Sequence, residues 1–381
     1  MTATHAPSAP RLDVDALIDS PETRIIVCCG AGGVGKTTTA AALGLRAAER
    51  GRRAVVITVD PARRLAQSLG LESLDNAPRP VPLPEGTPGG LHAMMLDMKR
   101  TFDEVVEEHA DPERARQILA NPFYQTLSTS FSGTQEYMAM EKLGQLRQSG
   151  EWDLIVVDTP PSRSALDFLD APKRLGRFLD GRLIRFLSAP ASTGAFRFLG
   201  AGVNLVTSAV NKVVGAQLLS DLRSFVSAFD TVFGGFQARA ERTYRLLQAP
   251  GTAFVVVTVP DTDALREASY FVDRLAADGM PLAGLVVNRA HPLPDGAGAR
   301  LTAAEAVRAE TALRDAGTHP LASAALRLHA ERVRTREHEA RLRDRMLSHH
   351  RGIRVAEVAA LPEDVHDLAG LRTIGAALAD G

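Results

Sequence analysis

The run "VCCGAGGVGKTTTAAAL" (27–43) carries two phosphate-binding spacings at once. Gly30, Gly32 and Gly35 satisfy G-x-G-x-x-G, the turn of a dinucleotide site. Gly30, Ala31, Gly32, Gly33, Val34, Gly35, Lys36 and Thr37 satisfy G-x-x-x-x-G-K-T, the loop of a triphosphate site. Both need glycine because backbone N–H groups must come within hydrogen-bonding distance of phosphate oxygens at a helix N-terminus. An acid near the end of the second strand, here Asp60, would also suit a ribose. Lys36 and Thr37 decide the matter. A triphosphate loop needs an ammonium between the β- and γ-phosphates and a hydroxyl on Mg²⁺, and a dinucleotide turn needs neither. Lysine is also scarce: Lys36, Lys99, Lys142, Lys173 and Lys212 are all there are. Farther on, "DLIVV" (153–157) runs into Asp158, a carboxylate placed to orient the shell of a bound Mg²⁺. The loop, with Thr38 following, is therefore read as binding ATP or GTP.

Such residues must stand at the carboxyl ends of parallel strands, and the apolar runs supply them. "RIIVCC" (24–29), "AVVITV" (54–59), "LHAMML" (91–96), "DLIVV", "AFVVVTV" (253–259) and "LAGLVV" (282–287) have the continuous apolar, mostly β-branched character of buried strands. Longer helical patterns separate them, among them "TTTAAALGLRAAER", stopped by Gly51. The expected fold is α/β, a mostly parallel twisted sheet flanked by helices. Residues 1–23 are expected to be a flexible tail, and 24–381 one nucleotide-binding domain. No strand signal appears between Lys173 and Leu247, which predicts a helical insertion over about 173–247. The arginine-rich tract 331–345 predicts a solvated helix, with Glu337–Arg341 and Glu339–Arg343 at i,i+4. Asp60 also suits the N-cap of "PARRLAQSL", with Pro61 at its first position.

Composition narrows the class. The chain has 381 residues, 45% hydrophobic and 23% charged, with a formal net charge of −1. That balance offers no general attraction to nucleic acid or an acidic membrane. The 2 cysteines, Cys28 and Cys29, are adjacent within a strand run. They cannot form a C-x-x-C zinc site, and His291, His349 and His350 read as loop residues rather than ligands. Nothing resembles a signal core or a membrane span. The expected location is cytoplasmic, peripheral at a membrane at most.

"GAGGVGKTT", "DPARRLAQSLG" (60–70) and "VVDTPPSRSALDFLDAP" (156–172) resemble the phosphate loop, switch I and switch II of the ArsA/Get family of ATPases. That family includes the arsenite-pump ATPase subunit and the ATPase that delivers tail-anchored membrane proteins. "SGTQEYMAMEKL" (132–143), "LAGLVVNRAHP" (282–292) and, more loosely, "LPEDVHDLAGL" (361–371) extend the likeness over most of the chain. The resemblance implies that Asp60 polarises the attacking water and that Asp158 holds Mg²⁺ through water. It further implies that Asn288 contacts adenine, with Pro362 nearby, and that two subunits meet face to face around ATP. It implies an ATP-hydrolysing switch for membrane-protein delivery or for a membrane anion-transport system. A ParA/MinD-like partitioning ATPase shares the loop and "DTPPS", but not the long insertion or this switch I.

The chain departs from that pattern in three places. No cysteine lies away from the loop, so neither thiolate capture of arsenite nor a zinc-clipped dimer is expected. Switch II continues Ser162-Arg163-Ser164 instead of threonine-glycine-histidine. Ala31 replaces the signature lysine that reaches the partner's phosphates. Either Arg63 or Arg163 supplies that charge, or a paralogous subunit carrying the lysine pairs with this one as a heterodimer. Finally, Phe168, Phe178, Phe186, Phe196, Phe198, Phe225, Phe229, Phe233 and Phe236 concentrate in and around the insertion. The last four share a helical face with Leu222 and Val232, which suits either a core stripe or a groove for a client's membrane helix.

Overall fold

The computed structural model describes residues 9–60, 64–122, 124–125, 134–160, 236–292 and 301–380. The chain divides into two compact units: residues 1–94, 151–165 and 247–381 form the first, and 95–150 with 166–246 the second.

The first unit is an eight-stranded sheet. Its strands are β1 (Ile25–Cys29), β2 (Arg53–Thr58), β3 (Arg79–Pro80), β4 (Gly90–Met95), β5 (Leu154–Asp158), β6 (Thr252–Thr258), β7 (Leu282–Ala290) and β8 (Val355–Ala359). In space they run β3-β4-β2-β5-β1-β6-β7-β8. β1 pairs in parallel with β5 on one side and β6 on the other, and every residue of these strands is buried. That burial explains their unbroken Val/Ile character, because neither face meets water. β3 and β4 pair antiparallel at the sheet's edge. Each expected strand is present to within a residue or two, except that β7 runs on to Ala290. β3 and β8 carried no signal; one has 2 residues, and the other, "VAEVA", is short and interrupted by Glu357.

The helices of this unit are α1 (Val14–Asp19), α2 (Lys36–Glu49) and α3 (Arg64–Ser68), then α8 (Thr262–Ala277), α9 (Ala303–Asp315), α10 (Pro320–His349) and α11 (Leu368–Asp380). α2 starts immediately after the phosphate loop. Its interior is alanine-rich and buried, which lets it pack closely against the sheet.

Residues 9–23 are not the flexible tail expected of them. Leu12, Val14 and Ile18 are buried, and the Asp13 side chain caps α1 by accepting from Ala16 N at 2.8 Å. Leu12 N donates to Val355 O at 2.9 Å, and Val355 N to Pro10 O at 2.8 Å, so this segment covers the outer edge of β8. Asp15 holds Arg46 of α2 at 2.5 Å.

α10 is the helix expected for the arginine-rich tract, but its pairing differs. Glu339 accepts from His291 Nδ1 at 2.5 Å instead of meeting Arg343. Arg343 and Arg336 both bind Glu357 of β8. One face of a helix read as solvated is thus pinned to the sheet, and Glu339 is buried.

The second unit contains α4 (Met98–His109), α5 (Pro112–Ala120), α6 (Thr134–Ser149) and most of α7 (Phe236–Gln248). Phe102 meets Tyr124 edge to face, and Tyr124 Oη donates to Asp103 at 2.7 Å. Lys142 pairs with Glu104 at 3.0 Å and Glu141 with Arg239 at 2.9 Å. The unit therefore draws on residues 95–150 as well as on the expected insertion. The phenylalanine stripe and nearly all of 173–247 lie outside the described residues.

Candidate phosphate-loop active site

The loop begins where β1 ends and closes onto α2, between the ends of the neighbouring strands. Such a position, at the carboxyl edge of parallel strands, is where open α/β sheets bind ligands. Two of its glycines are obligatory. Gly30 has φ +148°, and a Cβ there would lie 2.0 Å from Val257 O. Gly35, the N-cap of α2, has φ +95°, and its Cβ would lie 2.2 Å from Asn288 Nδ2. Any side chain at either place would displace backbone or Asn288.

Side chains hold three loop carbonyls. Lys36 Nζ donates to Ala31 O at 2.7 Å, Asn288 Nδ2 to Val34 O at 2.9 Å, and Arg289 Nη1 to Gly33 O at 3.3 Å. Fixing the carbonyls this way leaves the loop's N–H groups to face an anion. Lys36 is buried, which depresses its pKa, while Asp158, Cys29 and Asp60 push the other way.

Asp158 is fully buried at the end of β5. Its Oδ2 accepts from Thr37 Oγ1 at 2.7 Å and from Thr58 Oγ1 at 2.8 Å. Oδ1 is buried with no hydrogen-bond partner among the described residues. Desolvation raises this carboxyl to about 6, against the opposing effects of the threonine bonds and Lys36. A buried carboxylate oxygen lacking a donor, beside a loop threonine, is an arrangement that a hard cation satisfies. The residues therefore fit Mg²⁺, with Thr37 and Asp158 as the oxygens that would hold its shell.

A cavity of about 540 Å³ opens in front of the loop. Gly33, Gly35, Lys36, Thr37, Thr38, Asp60 and Asn288 all line it, so most of the residues singled out from sequence converge there. Asp60 N donates to Thr58 Oγ1 at 3.2 Å, which ties the start of switch I to a partner of Asp158. Ala31 is buried in the loop and does not line the cavity, and neither does Pro362, which is exposed, although its neighbours Leu361 and Glu363 do. Arg63 and residues 161–164 of switch II lie outside the described residues. The rest of the lining falls largely in the quoted motifs, though these residues were not singled out individually: Arg64 and Gln67 from α3, Thr159, Arg289, and Ala359 to Leu361 with Glu363 to His366 at the end of β8 and beyond it. β8, which carried no signal of its own, is the strand that delivers the last of these.

A family model described as anion-transporting ATPase matches residues 23–312. The chain belongs to that family. It is an ATPase, with ATP and Mg²⁺ as its ligands, and the geometry above fits both. ATPase GET3 of Malassezia globosa is 26% identical over 326 residues, which cover 84% of this chain and 87% of the relative. ATPase GET3B of Arabidopsis thaliana is 26% identical over 307 residues, covering 75% and 69% respectively. The ATPase ASNA1 homolog of Cryptosporidium parvum is 26% identical over 261 residues, covering 68% and 63%. Among the described residues no helix is long and apolar enough to cross a membrane.

Proposed function

We propose that this ATPase is a dimeric, cytoplasmic switch that uses ATP to deliver proteins with a membrane segment, working at the membrane surface without spanning it. The observation that carries the reading is that Lys36, Thr37 and Asp60 line one cavity, with Asp158 buried behind Thr37 and bonded to it, in a chain similar to ATPase GET3 over most of its length. In this reading Lys36 neutralises the β- and γ-phosphates, and the loop N–H groups hold their oxygens. Mg²⁺, when bound, neutralises developing charge on the phosphates. Thr37 and Asp158 keep its shell in register, Asp158 through water. Asp60 orients the attacking water, and Asn288 and Pro362 attend the adenine.

The partner is a second ATPase subunit, and Ala31 favours a paralogue that keeps the lysine. A methyl group cannot place charge on a partner's phosphates, so a homodimer would lack that cation at both sites. Arginine is no simple replacement, since its reach and planar geometry differ. The reading is tested by co-purification of a transmembrane peptide with the wild-type chain in ATP and in ADP. Retention that depends on nucleotide and is lost in Lys36→Ala supports it. Retention of DNA-bound partners, or of a sister subunit alone with no client, contradicts the delivery role.

A further inference from the structure

The end of β7 is irregular. Val287 pairs with Glu357 and Ala290 with Ala359, so β7 carries one residue more than β8 across this step. The extra residue makes a bulge at Asn288 and Arg289, and bulges beside active sites re-aim side chains. Arg289 sits there at φ +57°, a left-handed conformation uncommon for a residue with a side chain. A backbone held in such a region has to be over-determined by its surroundings, and here the bonds are visible. Arg289 N donates to Asn288 Oδ1 at 3.0 Å while Asn288 Nδ2 holds Val34 O at 2.9 Å. The Arg289 guanidinium then reaches Gly33 O at 3.3 Å, and Arg289 lines the cavity, as do Glu363 and Asp364.

We infer that Arg289 is a positioning residue for nucleotide affinity: the β7 bulge presents its guanidinium to the phosphate loop, where it fixes the Gly33 carbonyl and adds a permanent positive charge beside the phosphates. The inference rests on the cavity being the nucleotide site. It places a cation beside this subunit's own loop, in a chain whose loop has alanine at position 31. The bond to Gly33 O orients the peptide that follows, and the charge offsets the Glu363 and Asp364 carboxylates that line the same cavity.

The test compares R289G, R289A and R289K in the full chain, with K36A as reference, by calorimetric titration of ADP with Mg²⁺ and by thermal melting. Glycine accepts φ +57° without strain, so R289G removes the guanidinium while easing the backbone. Its ADP affinity should fall about tenfold or more, as for loss of a charge-assisted contact. R289A should lose similar affinity and also melt lower, and R289K should recover part of the affinity. The KM for ATP should rise in R289G with kcat changed far less. Wild-type ADP affinity in R289G overturns the role of Arg289 if K36A has lost binding. If K36A also binds normally, the assignment of the cavity itself is overturned. A lower melting temperature in R289G with unchanged affinity would reduce Arg289 to a purely structural residue and equally overturn the inference.

Discussion

Lys36, Asp60 and Asp158 differ in what they touch, and their substitutions should separate accordingly. Lys36→Ala deletes the buried ammonium of the loop and should abolish nucleotide binding in a titration. Asp60→Asn should leave binding nearly intact while lowering the single-turnover rate by about 10² or more, as for loss of a water-orienting carboxylate. Equal losses of binding in the two variants would show that Asp60 has been given the wrong role. Asp158 makes a prediction about pH. Its pKa is raised by desolvation from 3.8 to about 6, so its ionised form destabilises the metal-free fold. The sign follows from proton uptake. Between about 4 and 6 the folded state binds more protons than the unfolded one, so this group's contribution improves as pH falls through that window and is worst above it. Asp158→Asn should therefore melt higher than wild type at pH 7.5 without Mg²⁺, with the gap narrowing toward pH 5. Added Mg²⁺ and ADP should stabilise the wild type more than the variant. A wild type that melts higher than Asp158→Asn at pH 7.5 without Mg²⁺ would contradict the desolvation argument.

At the scale of elements, the cavity's outer wall depends on how β8 and α10 are held. Arg336 and Arg343 stand seven positions apart on α10 and converge on Glu357, while Glu339 between them holds His291, two residues past Arg289. Removing Glu357 would leave two guanidinium groups facing each other at a partly buried position. Because the groups remain partly exposed, Glu357→Ala should cost only about 1–2 kcal/mol, less than a fully buried pair. Amide exchange should rise in α10 and β8 before it rises in α2, which packs on the sheet without these pairs. Uniform loosening of every helix would show that the contact serves global stability alone. These elements were partly legible. β1, β5 and β6 announced themselves because burial on both faces demands continuous apolar runs. β8 did not, since five residues containing two alanines and a glutamate resemble a loop until a neighbouring strand and two arginines are in place. The N-terminal segment was missed for a related reason. Its prolines and alanines read as disorder, whereas Leu12, Val14 and Ile18 have value only against the sheet edge and helices that cover them.

For the whole molecule, the question is what one chain can do alone. On the proposed pairing with a lysine-bearing paralogue, this subunit alone should bind ATP but turn it over slowly, and Ala31→Lys should raise the rate. Brisk hydrolysis by the isolated wild type, unchanged by Ala31→Lys and lost in Arg163→Ala, would sink the heterodimer and favour the arginine. The purified protein should also contain no stoichiometric zinc by elemental analysis. Both thiols are buried in β1, and burial raises Cys29 to about 12 and Cys28 well above its ordinary value, so neither offers a thiolate. What the sequence determined by itself is the chemistry that rests on local order: the glycine spacing, the lysine and threonine that follow, and the apolar strands ending in carboxylates. Those features are fixed within a few residues, because a phosphate loop is a local backbone shape. What only the tertiary structure decided is everything that depends on strands distant in sequence coming to lie side by side. Glu357 cannot be recognised as the anchor of Arg336 and Arg343 until β8 lies beside β7. Arg289 cannot be seen to reach Gly33, 256 positions away, until a one-residue bulge turns it toward the loop. Chain order constrains neighbours, whereas register between strands is set by packing, and it is register that completes this site.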